Sequence, residues 1–544
     1  MAELSTASQV ELELNQSRSF LVEAGAGSGK TYTLVHALRH LLATRRKELE
    51  REGRRIACIT YTNVAKRQIH ERIANDPLVY VGTIHEFLWS VIRGFQKQLR
   101  DEILPYNETL RTPEDLANWS TDIDIVYSDR GRRLSEGQIS HDDVLALSYR
   151  LISTYPKLVR IIADRYPVIF VDEYQDTSPQ TIELLLDHLA GVRQERCVVG
   201  LFGDSMQKIY RHGVGSVEHK KLTRITKHEN YRCSEPIVAL LNKIRPELPQ
   251  EALAEQREGE VHLFLNAGIP AGHARLDSVR ATIDAKGWLA QDTKYLMLTH
   301  RGIAGTLDYA NVLGLYTKLS SHGRDDLLEG TDPFAQYMLQ IEELCDSYRR
   351  KDYAEISRLL GSGAMAVTQH SRKAEITRAV RKLLDLRKSG TIGDVLDLVH
   401  DSGLLRKPGK VRSIERMFSA TDLDERAQKK VDFAQGLRAV SYREAIAYVQ
   451  FRNELTPFAT QHGVKGDEFE NVVVVIDDAA WTQYHMGKML AGTDQEQRTQ
   501  RSRNLFYVCC SRAKRRLAVV FVTDLPTGAE SIAKDWFASG TVHP

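Results

Sequence analysis

The chain is 544 residues long, and 74 Lys and Arg against 72 Asp and Glu leave a formal net charge of +2. Hydrophobic residues make up 42% and charged residues 27%, proportions typical of globular proteins that argue against a disordered, collagenous or membrane-spanning chain. No apolar segment approaches the roughly 20 residues that a membrane-spanning helix needs. At about 100–200 residues per domain, the length predicts three or four domains. None of the six cysteines forms a CxxC pair or a zinc-binding spacing, which favours a reducing cytoplasm.

Short apolar segments rich in β-branched residues alternate with segments of helical periodicity. The predicted strands are Ser19–Ala24, Ile56–Tyr61, Val79–Ile84, Val168–Val171, Val198–Phe202, Glu260–Leu265, Lys294–Leu298, Val472–Ile476 and Leu517–Val522. The predicted helices between the first of these strands are Lys30–Leu42, Thr62–Ala74 and Thr181–Leu189. Because strands alternate with helices, we expect an α/β fold with two lobes, each a parallel sheet covered on both faces.

Two stretches interrupt this alternation, and they set the predicted domain boundaries. The first lobe is expected at residues 1–90 and 141–230, with a short polar insertion at 91–140. The second lobe is expected at 231–304 and 456–544, with a mostly helical insertion at 305–455. The basic run Arg406–Arg416 within that insertion is predicted to be a solvated loop.

A glycine-rich loop follows the first predicted strand and precedes a helix. Its sequence is Ala24-Gly25-Ala26-Gly27-Ser28-Gly29-Lys30-Thr31. Glycines allow successive backbone N–H groups to surround phosphate oxygens, and the helix N-terminus adds its positive dipole. Lys30 would neutralise the β- and γ-phosphates of ATP, and the Thr31 hydroxyl would bind Mg²⁺. The alternative is a glycine-rich turn that only resembles a phosphate-binding loop.

A phosphate-binding loop needs a carboxylate at the end of a neighbouring strand. Asp172 and Glu173 follow the apolar run Val168–Val171. Asp172 would hold the hydrated Mg²⁺, and Glu173 would orient and deprotonate the attacking water.

Ordered motifs along the whole chain resemble those of the superfamily 1 DNA helicases of the UvrD/Rep/PcrA type. The segment 172–176, DEYQD, is the most specific of them, and the others are TYTN at 60–63, TIHEF at 83–87, GDSMQKIY at 203–210, NYR at 230–232, TQHGVKGDEF at 460–469 and LFYVCCSRA at 505–513. The departures within these motifs are Ala24 for the first glycine, Tyr61 for phenylalanine, Asp467 where leucine is usual and Ser511 for threonine. The resemblance implies two RecA-like lobes with ATP between them.

The resemblance also implies roles in nucleotide binding. Gln9 would read adenine, Tyr231 would stack on it, and Glu468 would accept a hydrogen bond from the ribose. Gln207 would sense the γ-phosphate and couple it to lobe closure. Arg232 and Arg512 would act as arginine fingers, since a guanidinium fork suits the charge that develops on the γ-phosphate. The alternatives are a surface ion pair for each arginine, a buried core position for the tyrosine and a surface acid for Glu468.

Single-stranded DNA is the partner that the resemblance implies, gripped through polar contacts and stacking side chains. The candidates carried over from the motifs are Thr62, Asn63, Thr83, His85, Tyr210, His212 and His462. Threonine, asparagine and histidine at strand ends also serve as helix caps, so that alternative stays open. His212 stands where relatives carry a base-stacking tryptophan, which predicts weaker stacking and puts processive strand separation in doubt.

Three functions are compatible with these motifs. The first is a DNA-dependent ATPase that translocates in the 3′-to-5′ direction in repair, recombination or antiphage defence. The second is a DNA-end-sensing regulatory subunit, which the compact size of the chain favours. In this it resembles the short helicase-like component of the Gabija antiphage system. That resemblance would imply a partner nuclease of the OLD/TOPRIM type. The third is an inactive scaffold, which the intact Lys30, Asp172, Glu173, Arg232 and Arg512 argue against.

Overall fold

A computed structural model describes residues 4–117, 119–120, 122–128, 131–191, 197–209, 213–253, 258–265, 269, 273–361, 370–420, 422–460 and 466–543. The chain forms two compact units. The first unit consists of residues 1–268, 465–474 and 481–544, and the second of residues 269–464 and 475–480. None of the described helices is both long enough and apolar enough to cross a membrane.

The strands, in chain order, are β1 Phe20–Ala24, β2 Ile56–Thr60, β3 Val79–Thr83, β4 Val126–Tyr127, β5 Gln138–Ile139, β6 Val168–Asp172, β7 Val198–Gly203, β8 Thr223–Lys227, β9 Glu229–Asn230, β10 Glu251–Ala252, β11 Glu260–Phe264, β12 Thr293–Met297, β13 Phe458–Thr460, β14 Phe469–Ile476, β15 Ala513–Phe521 and β16 Thr541–His543. Each of the nine strands predicted from the sequence is present, with ends that differ by a few residues.

The described helices are α1 Thr6–Asn15, α2 Lys30–Glu52, α3 Asn63–Arg72, α4 Ile84–Ile92, α5 Gln96–Glu108, α6 His141–Thr154, α7 Pro156–Arg165, α8 Pro179–Glu183, α9 Glu235–Ile244, α10 His273–Ala285, α11 His300–Thr306, α12 Ala310–Leu319, α13 Gly323–Glu329, α14 Pro333–Arg350, α15 Tyr353–Leu360, α16 His370–Ser389, α17 Ile392–Asp401, α18 Gly409–Arg416, α19 Glu425–Ala439, α20 Tyr442–Arg452, α21 Met486–Ala491, α22 Glu496–Cys510 and α23 Ala529–Trp536. A π-helical turn, Leu184–Leu189, follows α8.

The first sheet has the strand order β3-β2-β6-β7-β1-β8, and its neighbouring strands pair in parallel. Successive residues of one strand belong to different hydrophobic clusters: Ile169 and Val171 lie in one, Val168 and Phe170 in the other. This alternation places a core on each face of the sheet, as a parallel sheet with helices on both sides requires. The carboxyl ends of β1, β6, β7 and β8 share one edge, where ligands of open α/β sheets bind.

The second sheet has the strand order β13-β12-β14-β15-β11-β16. The structure thus contains two six-stranded parallel sheets flanked by helices, which confirms the predicted α/β architecture of two RecA-like lobes. Between β12 and β13 the described residues form helices α11 to α20 and no named strand. This part of the chain is therefore mostly helical, as predicted.

The prediction for the basic run Arg406–Arg416 is wrong. Residues Gly409–Arg416 form α18, and Lys407, which is only 4% exposed, lies just before it. The Lys407 ammonium lies 2.8 Å from the Glu415 carboxylate and 3.3 Å from that of Asp397. Because nearby acids compensate the charge, this lysine can be buried without an unpaired ion.

Candidate nucleotide-binding site

The glycine-rich loop lies between β1 and α2, at the carboxyl edge of the first sheet. Ala24 ends β1, residues 25–29 form the turn, and Lys30 begins α2. Gly27 has a φ of 75°, and a Cβ at this position would lie 2.7 Å from Asn230 Oδ1 and 2.8 Å from Arg232 Cβ. Only glycine fits this left-handed turn against a neighbouring chain segment.

Lys30 and the two predicted acids lie together at this edge. Lys30 is 9% exposed, and Asp172 is the last residue of β6. Burial, together with the charge of Glu173, raises the pKa of Asp172 to about 7, and the ammonium of Lys30 opposes that shift. A cation bound at Asp172 would offset the cost of burying this carboxylate.

The loop and its surroundings fit a nucleoside triphosphate. Ser28 Oγ is buried and has no hydrogen-bond partner among the described residues, so a phosphate oxygen could satisfy it. Thr31 follows Lys30 in the first turn of α2, where the helix dipole favours an anion. The described residues contain no cluster of three or more His, Cys, Asp or Glu side chains suited to a metal. Thr31 and Asp172 stay the candidate ligands, predicted from the motifs, of a Mg²⁺ that accompanies ATP.

Arg512 is fully buried and converges on the predicted γ-phosphate sensor. Its Nη2 donates to Gln207 Oε1 at 3.2 Å, while Nε donates to Val508 O and Nη1 to Asp467 O. Burial and the charge of Arg232 lower the pKa of Arg512 to about 10. The guanidinium therefore stays charged at neutral pH and has a second cation nearby.

Arg232 is held beside the loop by two acceptors. Its Nε donates to Glu468 Oε2 at 2.7 Å, and its Nη1 donates to Ser511 O at 3.1 Å. The preceding residue, Tyr231, donates its backbone N–H to Gly27 O at 2.9 Å. The segment that carries this arginine is thus bonded directly to the glycine-rich loop.

The adenosine candidates lie in different settings. Tyr231 is 52% exposed, which excludes the alternative of a buried core tyrosine, and Lys227 Nζ lies 5.6 Å from its ring centre. Gln9 lies on α1, where its Nε2 donates to Leu4 O at 2.8 Å. Glu468 is bonded to Arg232 and also lies 2.9 Å from Lys514 Nζ. Burial raises the pKa of Glu468, but the lysine and the arginine together lower it below its ordinary value.

Two of the predicted DNA contacts serve as helix caps. The Thr62 hydroxyl accepts from Ala65 N at the start of α3. The Thr83 hydroxyl accepts from Glu86 N at 3.3 Å, and Glu86 Oε2 accepts from Thr83 N at 2.8 Å. The capping alternative is therefore real for both threonines, and their contact with DNA stays a prediction.

The remaining DNA candidates are only partly described. Asn63 is exposed as the first residue of α3. His85 is half-buried, and its ring stacks on that of His141 with 4.6 Å between ring centres. Tyr210, His212 and His462 lie outside the described residues.

Sequence reasoning missed a set of buried side chains that hold the predicted residues in place. Gln175 Nε2 donates to Glu173 Oε2 at 2.6 Å, and Gln175 Oε1 accepts from Asp204 N at 3.1 Å. A Cβ at residue 203 would lie 2.4 Å from that Oε1, which explains the glycine before Asp204. The sequence signal that could have identified Gln175 is its place within the DEYQD motif. The other missed residues are Glu23, Tyr174, Arg245 and Tyr507.

Comparisons with known proteins show which families this chain resembles. A family model described as an AAA domain matches residues 9–213. Gabija protein GajB of Bacillus cereus (strain HuB5-5) is 24% identical, in a match that covers 98% of this chain and 96% of GajB. The ATP-dependent DNA helicase PcrA of Bacillus subtilis (strain 168) is 26% identical over 41% of this chain and 37% of PcrA. The chain resembles the UvrD/PcrA-like superfamily 1 helicases.

The resemblance predicted from the motifs is thereby confirmed, including the likeness to GajB. PcrA of Staphylococcus aureus (strain Mu50 / ATCC 700699) gives a similar partial match, 25% identical over 41% of this chain and 37% of that helicase. The match to GajB, in contrast, spans nearly the whole of both chains. Together these likenesses support a helicase-type function that uses ATP.

Proposed function

We propose that the protein is a DNA-dependent ATPase that translocates on single-stranded DNA in the 3′-to-5′ direction. The observation that carries the proposal is that one arginine lies beside the glycine-rich loop and a second is bonded to the predicted γ-phosphate sensor. Arg512 bonds to Gln207, and the segment of Arg232 bonds to Gly27. A scaffold would have no need for two buried or half-buried guanidinium groups around one anion-binding turn.

The residues divide the work of hydrolysis. Lys30 neutralises the β- and γ-phosphates, and Glu173 accepts the proton of the attacking water. Mg²⁺ held by Thr31 and Asp172 would supply charge neutralisation at the phosphate oxygens when bound. Arg232 and Arg512 stabilise the charge that develops on the γ-phosphoryl group. Gln207 senses the γ-phosphate and couples it to lobe closure.

Translocation follows from coupling this cycle to DNA. ATP binding draws the two lobes together and hydrolysis releases them, so that alternating grip moves the lobes along one strand. Pathways compatible with such an activity are DNA repair, recombination and antiphage defence, in the cytoplasm. The DNA contacts proposed are Thr62, Asn63, Thr83, His85, Tyr210, His212 and His462.

The deciding experiment measures ATP hydrolysis with and without single-stranded DNA, for the natural chain and for Lys30→Ala. We expect DNA to stimulate hydrolysis severalfold. Loss of the lysine should reduce kcat by about 100- to 1,000-fold, because a preorganised charge at the phosphates is removed. Lys47→Ala, on the far part of α2, is the control and should hydrolyse normally. Hydrolysis that DNA leaves unchanged would contradict the proposal.

A second candidate function is a nucleotide- and DNA-end-sensing subunit that activates a partner nuclease. The observation that favours it is the nearly full-length match to Gabija protein GajB, together with His212 where the family's stacking tryptophan is expected. The partner would be a nuclease of the OLD/TOPRIM type.

Strand separation distinguishes the two candidates. A duplex with a single-stranded tail, labelled with a fluorophore and a quencher, should be unwound by a translocating helicase in the presence of ATP. ATP hydrolysis without unwinding, together with copurification of a nuclease that becomes active only in the complex, would favour the second candidate.

A further inference from the structure

Arg245 is a buried cation that lies outside the motifs identified in the sequence. It caps the carboxyl end of α9 and is only 2% exposed. Its Nη1 donates to Asp204 Oδ1 at 2.5 Å, and its Nη2 donates to Glu23 Oε1 at 2.6 Å. One guanidinium thus bridges two carboxylates that are themselves fully buried.

The two carboxylates belong to the segments that form the nucleotide site. Glu23 precedes the glycine-rich loop by one residue, and Asp204 follows β7 directly. Glu23 also accepts from the Tyr174 hydroxyl at 2.5 Å and from the Ser205 hydroxyl at 2.7 Å. Two buried carboxylates repel each other unless a cation lies between them, so Arg245 is what allows the two segments to approach.

Asp204 connects Arg245 to the predicted γ-phosphate sensor. While Asp204 Oδ1 accepts from Arg245, its Oδ2 accepts from Gln207 Nε2 at 2.9 Å. Gln207 Oε1 then accepts from Arg512 Nη2. The orientation of the Gln207 amide is therefore fixed from one side by Asp204 and from the other by Arg512.

Arg245 also reaches the glycine-rich loop through an aromatic ring. Its guanidinium carbon lies 5.7 Å from the ring centre of Tyr507, on α22. The Tyr507 hydroxyl accepts from the backbone N–H of Ala26 at 2.9 Å. The Arg245 guanidinium thus contacts both Tyr507, which is bonded to the loop, and Asp204, which is bonded to the sensor Gln207.

We propose that Arg245 is a positioning residue for ATP hydrolysis, which acts through Asp204 to hold Gln207 in its catalytic orientation. The inference rests on the proposed function, because it assigns a part in that hydrolysis. Among the described residues, Arg245 forms no hydrogen bond or ion pair with Lys30 or with the glycines of the loop, so it affects the rate of the chemical step more than the binding of ATP. Lysine is a poor replacement, since the planar guanidinium reaches the two carboxylates from two separate nitrogens, Nη1 and Nη2, whereas an ammonium has all its donors on one nitrogen.

The test compares Arg245→Lys with the natural chain in the DNA-stimulated ATPase assay. We expect kcat to fall by about 10- to 100-fold, because small displacements of catalytic groups have effects of that size. The Kd of ATP, measured by equilibrium binding, should change by less than about threefold, which a general loss of structure would not spare. Unchanged kcat in Arg245→Lys would overturn the inference.

A double-mutant comparison tests the route through Gln207. In a Gln207→Ala background, Arg245→Lys should lower kcat by less than about threefold, because the group that it positions is already absent. If the two losses instead multiply, Arg245 does not act through Gln207 and the inference fails.

Arg387 provides a matched control in the second unit. It is 3% exposed and pairs with the buried Glu342, so Arg387→Lys perturbs an equally buried ion pair that belongs to the other compact unit. We expect its kcat to stay within twofold of the natural chain. An equal loss of kcat in this control would overturn the inference, since the effect would then reflect stability alone.

A charge-balanced variant covers the case in which lysine prevents folding. Arg245→Gln combined with Glu23→Gln removes one positive and one negative charge, and it should fold and show the same loss of kcat. Normal kcat in this variant would overturn the inference. Absence of hydrolysis in the natural chain itself would overturn the proposed function and this inference with it, whereas normal hydrolysis in Arg245→Lys would overturn the inference alone.

Discussion

Arg232 illustrates how much a single side chain depends on geometry. Two acceptors from different segments, Glu468 Oε2 and Ser511 O, fix the plane of its guanidinium group. A planar fork can satisfy both acceptors at once because it donates to them from two different nitrogens, Nε and Nη1. Charge alone, which lysine would also provide, is therefore not enough at this position.

We predict that Arg232→Lys lowers kcat for ATP hydrolysis by about 1,000-fold or more, the contribution typical of an arginine finger. The Kd of ATP should rise much less. Single-turnover kinetics and equilibrium ATP binding check the two parts separately. Arg324→Lys, an exposed arginine paired with Asp325, is the control, and a comparable loss there would contradict the assignment.

At the scale of elements, the start of α4 shows a residue with two possible tasks. Thr83 ends β3 and caps α4 in a reciprocal capping box with Glu86. The motif that led to the DNA prediction is thus also a helix-start signal, S/T-x-x-E, with a purely local explanation.

Thr83→Ala should lower the free energy of unfolding by about 1 kcal/mol, the usual cost of losing such a cap. Thr83→Asn should retain most of that stability, because asparagine caps helices well. Urea denaturation measures the stabilities, and fluorescence anisotropy measures affinity for single-stranded DNA. If Thr83→Asn binds DNA as tightly as the natural chain, the threonine is a cap and not a DNA contact.

We expect the first residue of α11, His300, to make the stability of the protein depend on pH. Burial, followed by the nearby charge of Arg324, lowers the pKa of His300 from 6.5 to about 4, and Asp325 opposes the shift. Its Nδ1 is buried without a hydrogen-bond partner among the described residues. The folded state therefore favours the neutral ring, and protonation favours the unfolded state.

The contribution of His300 to the free energy of unfolding should be fully present above pH 6.5. It should decrease by about 1–3 kcal/mol as the pH drops from 6.5 toward 4. In His300→Phe this component should be absent, and the ring can still pack near Phe451, 6.0 Å away between ring centres. Urea denaturation of both proteins between pH 7.5 and 4.5 measures it. The same slope in both would show that His300 does not contribute.

At the scale of the molecule, all described nucleotide candidates belong to the first compact unit. These candidates come from segments that are up to about 500 residues apart in sequence: Gln9, the glycine-rich loop, the acids at the end of β6 and both arginines. A ligand that binds all of them therefore couples the termini of that unit to its centre.

We expect a nonhydrolysable ATP analogue to raise the melting temperature only when Mg²⁺ is present. At 100 times the Kd, such a ligand adds about 2.7 kcal/mol to the stability of the state that binds it. Removal of Mg²⁺ with EDTA should abolish most of the shift, and Lys30→Ala should show none. Differential scanning fluorimetry checks this, and an equal shift with EDTA would contradict a Mg²⁺ site at Thr31 and Asp172.

The sequence by itself determined the strands, the glycine-rich loop and the motif residues. These features are local: hydrophobic periodicity selects helix or strand, and a turn with positive φ requires glycine at positions such as Gly27. The two lobes followed because strands that alternate with helices form parallel sheets.

Only the tertiary structure decided how the motif residues are held. The contacts of Arg245 with Glu23, Asp204 and Tyr507 join residues up to 262 positions apart, and nothing local distinguishes this arginine from a solvated one. The same holds for Lys407, predicted exposed and found buried. Whether a charge can be buried depends on which opposite charges the fold brings to it, and that pairing is a property of the folded chain.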